Sequence, residues 1–165
     1  MVGSALASVL LMALGALTMF GARSFGAMAN YVDLDQYSRN ALDRMSKEIR
    51  QCNCLLASDD NYLWFQDSDG LNLLYYYIPS TRILYRFKDN GHGWQMDSKP
   101  LLTQCDFLQF SIFQRNPIMG TYNQYPTASA DTCKLVQLSW ICSRTLIGNK
   151  NTESVQSAKV VIRKK

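Results

Sequence analysis

MVGSALASVLLMALGALTMFGA, residues 1–22, carries no charged side chain and little polarity of any kind. As an α-helix rising ~1.5 Å per residue, such a run spans ~33 Å, enough to cross a bilayer core of ~30 Å. Its apolar character continues around all faces for six turns, unlike the one-sided stripe of a helix on a soluble core. Small residues recur within it. Gly3, Ala7, Val9, Leu10, Leu14 and Ala16 form the candidate surface for packing against other helices, because small side chains let helix backbones approach closely in lipid. A cleaved secretory signal is the rival reading, since Ala27-Met28-Ala29 has the form of a cleavage site. The missing basic n-region and the length of the apolar run count against it. The first charge, Arg23, follows the run, and Gly21 and Gly26 mark the place where a long helix is expected to bend or melt.

From Tyr31 the pattern becomes one-sided. Leu34, Tyr37, Ala41, Met45, Ile49, Cys52 and Leu56 recur at steps of three and four, which is one face of a helix. Asp35, Arg39, Asp43, Lys47 and Arg50 occupy the other side. No proline precedes Pro79, so a single helix over residues ~2–56 is permitted. Leu34, Tyr37, Ala41, Met45, Ile49 and Leu56 are the residues expected to pack on a sheet. Three segments follow from this: a hydrophobic transmembrane or filament-core helix over 1–29, an amphipathic stem over 30–57, and a β-rich head over 58–165.

In the head, strands are predicted at 62–66, 73–78, 83–88, 94–96, 107–114, 135–142 and 158–163. They are punctuated by Asp67-Ser68-Asp69-Gly70, Pro79-Ser80-Thr81 and the hairpin signal Asp89-Asn90-Gly91. In 135–142, Val136, Leu138, Trp140 and Cys142 form one face, suited to cover the stem. The expected fold class is α+β, a long helix on one antiparallel sheet of six or seven strands. The loop over 116–132 is a candidate contact surface.

The residues offer little chemistry. The formal net charge of +4 is scattered, with no basic cluster interleaved with aromatics, so no nucleic acid is expected. The single histidine, His92, lies in a turn. No nucleophile elbow, zinc-protease motif, P-loop or dinucleotide fingerprint is present. Asp67-x-Asp69-Gly70 opens like a calcium loop, but Leu71 and Ile78 occupy positions that need oxygen ligands. Five cysteines, Cys52, Cys54, Cys105, Cys133 and Cys142, are candidates for one or two disulfides with a thiol left over, and their pairing is open. The C-x-C spacing of the first two does not suit zinc. No cofactor and no metal is expected, and the chain reads as a non-enzyme.

Several segments together resemble type IV prepilin-like proteins. The opening MVGSALASVLL is similar to their hydrophobic helix just after the cleavage and methylation motif. The stem segment ALDRMSKEIRQ (41–51) resembles minor pilins of the PilW class and the J-type minor pseudopilin of type II secretion. YIPSTRILYR (77–86), LLTQCDFLQF (101–110) and the last strand from Ser154 to Arg163 resemble further segments of those proteins. The family's glycine before the cleavage point and its glutamate at the fifth mature position have no counterpart here. The resemblance places Met1 just after that glutamate, so the expectation is a sequence that begins inside the mature segment. The resemblance implies a type IV pilin-like fold and a structural minor pilin or pseudopilin that helps initiate or cap a filament. Its implied partners are other major and minor pilins or pseudopilins, an inner-membrane assembly platform, prepilin peptidase and membrane lipid. Its implied location is the bacterial inner membrane, crossed once, with the head periplasmic or, in the filament, extracellular. The alternative is a membrane-anchored binding module whose aromatic strands (Tyr75, Tyr76, Tyr77, Trp94) hold a ligand. Exposed aromatics favour that alternative, and aromatics buried against the stem favour the filament subunit.

Overall fold

In a computed structural model, which describes residues 2–97, 99–115, 123–146 and 149–163, one helix, α1 (Val2–Gln51), leads into nine strands. The helix passes through Gly21 and Gly26 without interruption, so the expected break is absent. With no proline to remove a hydrogen bond, two glycines cost only ~2 kcal/mol of propensity against fifty residues of ladder. The helix stops at Gln51 rather than near residue 56. Asn53 turns to the sheet instead: its N–H donates to Gln66 O (2.8 Å) and its side-chain amide to Asp67 O (2.9 Å).

Beyond that point the chain forms β1 (Cys54–Asp59), β2 (Tyr62–Gln66), β3 (Asn72–Ile78), β4 (Ile83–Asp89) and β5 (Trp94–Met96). These pair as an antiparallel meander in the order β1-β2-β3-β4-β5. Then come β6 (Cys105–Arg115), β7 (Gln124–Pro126), β8 (Cys133–Leu146) and β9 (Asn149–Val161), in the order β7-β6-β8-β9 and again antiparallel. Among the described residues the head therefore holds two sheets, of five and four strands, and not the one sheet that the sequence predicts. An isolated bridge between Leu84 and Leu102 ties the segment leading into β6 back to β4. Residues 116–122 of the expected contact loop, Met1 and the basic pair at 164–165 lie outside the described residues; the loop's second half contains β7.

Alternation along the strands sends one set of side chains inward. Leu63, Phe65, Leu73, Tyr75, Tyr77 and Leu84 come from the first sheet, and Leu108, Phe110, Val136, Leu138, Trp140 and Val160 from the second. They share one core with Leu34, Ala41, Met45 and Ile49 of α1. This is an α+β arrangement, one long helix against antiparallel sheets, and it explains the stripe read from the sequence. Leu56 is the exception among the expected stem residues. It sits on β1, outside the helix, and is 42% exposed, while its neighbour Leu55 is buried. The helical spacing that reached Leu56 was a coincidence of register across the helix end.

Candidate functional site: the projecting helix and the polar lock at its base

The helix has two unlike halves. From Leu34 onward its buried positions are Leu34, Ser38, Ala41, Met45 and Ile49, and Cys52 just past its end, at steps of three and four. Before Leu34 it touches almost nothing. Val9, Leu10, Leu11, Met12, Leu14, Leu17, Met19, Phe20, Phe25 and Met28 are each more than half exposed, up to 76% at Phe25. Gly3, Ala7 and Ala16 are exposed as well. Adding a β-carbon at Gly3, Gly15, Gly21 or Gly26 would meet nothing within 4 Å. All six residues expected to pack helix on helix thus lie on a bare rod. Thr18 returns its hydroxyl to Gly15 O (2.9 Å), which satisfies that polar group within the helix. The rod is long and apolar enough to cross a membrane.

The other half is fixed by polar contacts from both sheets. Arg144 of β8 donates to Asn30 Oδ1 (2.8 Å) and Asp33 Oδ2 (2.7 Å) where the helix leaves the head. Asp35 accepts from Ser154 (3.1 Å) and Gln156 (3.0 Å) of β9. The Tyr37 hydroxyl donates to Pro100 O (2.8 Å). Trp140 Nε1 donates to Ser38 Oγ (2.7 Å), and both residues are buried. Near the end of the helix Glu48 accepts from the Tyr75 hydroxyl and from Arg86 Nε (2.8 Å), while Arg44 and Arg86 both reach Asp97 (2.7 and 2.8 Å). Burial and the facing Glu48 carboxylate hold the Tyr75 phenol well above its ordinary pKa. Burial also lifts Tyr77, whose hydroxyl donates to Cys105 O, to about 12. Helix slippage by one turn would break all of the bonds that the helix makes here at once.

Sequence periodicity found the apolar stripe but missed Ser38, Glu48 and Arg144. Ser38 had a usable signal, since it interrupts the buried face between Leu34 and Ala41 at helical spacing. Arg144 had none, because its partners on the helix, Asn30 and Asp33, lie more than a hundred residues away.

Four of the five cysteines, all but Cys54, are buried. Cys52 closes the helix, its thiol donating to Glu48 O (3.2 Å), and burial pushes its pKa up to about 12. Cys54 faces Gln66, and Cys133 faces Gln114. Cys105 and Cys142 face each other across β6 and β8. The calcium-like turn is otherwise engaged: Asp67 accepts from Lys88 Nζ (2.6 Å) and from Ser68 N (2.7 Å). Among the described residues no three His, Cys, Asp or Glu side chains converge as a metal site. His92 is exposed in the β4–β5 turn, where Gly91 and Gly93 take positive φ.

The aromatic residues divide. Tyr75 and Tyr77 are buried towards the stem, whereas Tyr76 and Trp94 are exposed. On the outer face of the five-stranded sheet, Trp64, Leu74, Phe87 and Met96 are register neighbours, and Trp94 packs edge-on against Trp64 with ring centres 6.1 Å apart. No protein-family model, curated protein or solved structure matches the chain.

Proposed function

We propose that this protein is a structural subunit of a type IV pilin-like filament, a minor pilin or pseudopilin that helps to initiate or cap a pilus or a type II secretion pseudopilus. One observation carries this reading. A single helix is locked to the head by both sheets over its second half, while its apolar first half stands clear of the head. A bare apolar rod of this length needs either lipid or like helices around it. A rigid join to the head means that packing of the rods fixes where the heads stand. The subunit waits in the bacterial inner membrane, with its head on the far side from the cytoplasm. It then moves its helix among those of other pilins at an inner-membrane assembly platform, with prepilin peptidase acting on the precursor. The role is structural, not catalytic, and involves no nucleic acid.

The test is incorporation. An antibody to the head should label sheared filaments from the source cells, and the paired substitution Leu10→Arg, Leu14→Arg should abolish labelling while the head keeps its fold. Labelling that survives the pair, or no association with any other filament subunit, refutes the proposal.

The exposed aromatic face around Trp64 and Trp94 favours a second reading, a membrane-anchored binding module. On that reading, Trp64→Ala with Trp94→Ala abolishes ligand capture and leaves the membrane-anchored chain intact. A filament subunit loses incorporation only through its helix.

A further inference from the structure

Cys105 opens β6 and Cys142 lies within β8, and the two are direct register partners. The surrounding backbone bonds identify the kind of pair. One step outside it, Ser143 N–H donates to Gln104 O (3.0 Å), while the N–H of Cys105 turns away to Arg82 O (3.0 Å). The cysteines therefore occupy a non-hydrogen-bonded position, next to a shift of register between Cys105 and Phe107; in a regular antiparallel ladder such positions hold Cα atoms ~4.5 Å apart and bring side chains closest. A disulfide requires a Cα separation of ~4.4–6.8 Å.

The side chains agree with the backbone. Both are buried, at 0% and 1% exposure. The neighbouring Cys142 thiol and burial raise Cys105 above the ordinary thiol range, and the neighbouring Cys105 thiol lowers Cys142 below it; Cys105 Sγ itself donates to Phe107 O (3.2 Å). The site is held by contacts that do not involve sulfur. Arg82 and Gln104, both at φ 59°, take a left-handed conformation rare for side-chain-bearing residues. Arg82 Nη2 fixes them by donating to Gln104 O (3.2 Å) and Ser143 O (3.0 Å).

We propose that Cys105 and Cys142 form a cross-strand disulfide, made by exchange with a disulfide oxidant, that staples the start of β6 to β8 beneath the stem helix. The remaining three cysteines stay thiols, because Cys54 and Cys133 face glutamines in the register and Cys52 is capped on the helix end. The chemistry is thiol–disulfide exchange with a disulfide-bearing oxidoreductase or oxidised glutathione. One cysteine thiolate attacks the oxidant's disulfide, forming a mixed disulfide and releasing one oxidant thiol. The second cysteine then attacks the protein sulfur of that mixed disulfide and expels the other. One S–S bond forms in the protein and one breaks in the oxidant, which takes up two electrons and two protons. Because both sulfurs are buried in the finished fold, the exchange takes place during folding. The bridge does not depend on the chain being a filament subunit.

The test is a disulfide map. The full chain in detergent is unfolded, refolded in a glutathione redox buffer, alkylated with a maleimide in denaturant and digested without reduction. Mass spectrometry should find the Cys105 peptide joined to the Cys142 peptide, with Cys52, Cys54 and Cys133 alkylated. The Cys142→Ser variant should have every remaining cysteine alkylated, with no replacement bridge. Native-like circular dichroism together with alkylated Cys105 and Cys142 overturns the proposal, as does either cysteine bridged elsewhere. The same map on chain alkylated during extraction from the source cells guards against poor refolding: the Cys105–Cys142 peptide pair supports the bridge, and alkylation of both cysteines overturns it.

Discussion

Arg86 Nε lies 2.8 Å from Glu48 Oε2, and this pair joins the last turns of the helix to the middle of the first sheet. Arg86 is 9% exposed in its side chain and Glu48 21%, so neither charge is well served by water. The arginine's pKa is subject to burial, which lowers it, but the hydrogen bond and charge of Glu48 outweigh that and raise it. Removing one partner of such a pair costs more than the pair itself contributes, because the other charge loses a partner in a poorly hydrated place, even though Arg86 keeps Asp97 and Glu48 keeps Arg44. Glu48→Gln should therefore destabilise the head by about 2 kcal/mol, and Glu48→Gln with Arg86→Met by less than the sum of the two single changes. Urea unfolding of the detergent-solubilised chain measures both. Additive losses would show that the pair is not coupled.

Trp140 presents its indole N–H to Ser38 at 2.7 Å from the centre of β8. Ser38→Ala leaves that buried donor without a partner at a cost of about 1–2 kcal/mol, whereas an exposed serine changed to alanine costs little. Ser46, only partly buried on the same helix, is the control. The thermal midpoint, followed through near-ultraviolet dichroism of the buried tryptophan, should fall for Ser38→Ala and hold for Ser46→Ala.

Asp67 supplies a pH dependence with a defined sign. Burial alone would raise its carboxyl pKa, but the hydrogen bond from Lys88 and those from Ser68 outweigh it, and the net shift is downward. A carboxyl whose folded pKa lies below its unfolded value of ~3.9 binds fewer protons in the folded chain across that window. Its contribution is present above that value and is lost as pH falls through the folded pKa. Lys88→Met should reduce stability at neutral pH, and the gap to the parent chain should close in acid. Unfolding free energy measured from neutral pH down to strong acid gives the answer, and a gap independent of pH would reject it.

Parts of this architecture were legible in the residues and parts were not. Both halves of α1 could be read, because all-round apolarity and a one-sided stripe are local patterns. β2 and β5 were read with their observed bounds, since Asp67–Gly70 and Asp89–Gly91 mark their ends. β1 was absorbed into the helix because no glycine or proline stops the chain before Cys54, and Leu55 and Leu56 suit either period. β7 was missed because Gln124–Pro126 has no alternation. Arg82, in the β3–β4 turn, and Gln104, just before β6, take positive φ with no residue signature. The lock at the base of the helix needed tertiary pairing, which polar residues such as Glu48 and Arg144 do not announce.

Leu10 decides whether the projecting rod meets lipid. The helical stretch 2–22 measures ~31 Å, close to the ~30 Å of a bilayer core, which puts Leu10 near mid-depth. Arg23 then falls at the boundary, where its long side chain can reach the headgroups. A charge at mid-depth costs about 2.5–3.5 kcal/mol of insertion, while one at the edge costs little. Leu10→Arg should therefore move much of the chain out of the alkali-resistant membrane fraction, and Arg23→Leu should leave it there. Because Leu10 makes no contact with the head, the unfolding midpoint of the head should be the same in both variants. A Leu10→Arg chain that floats with vesicles as well as the parent would mean that the apolar rod is not a membrane span.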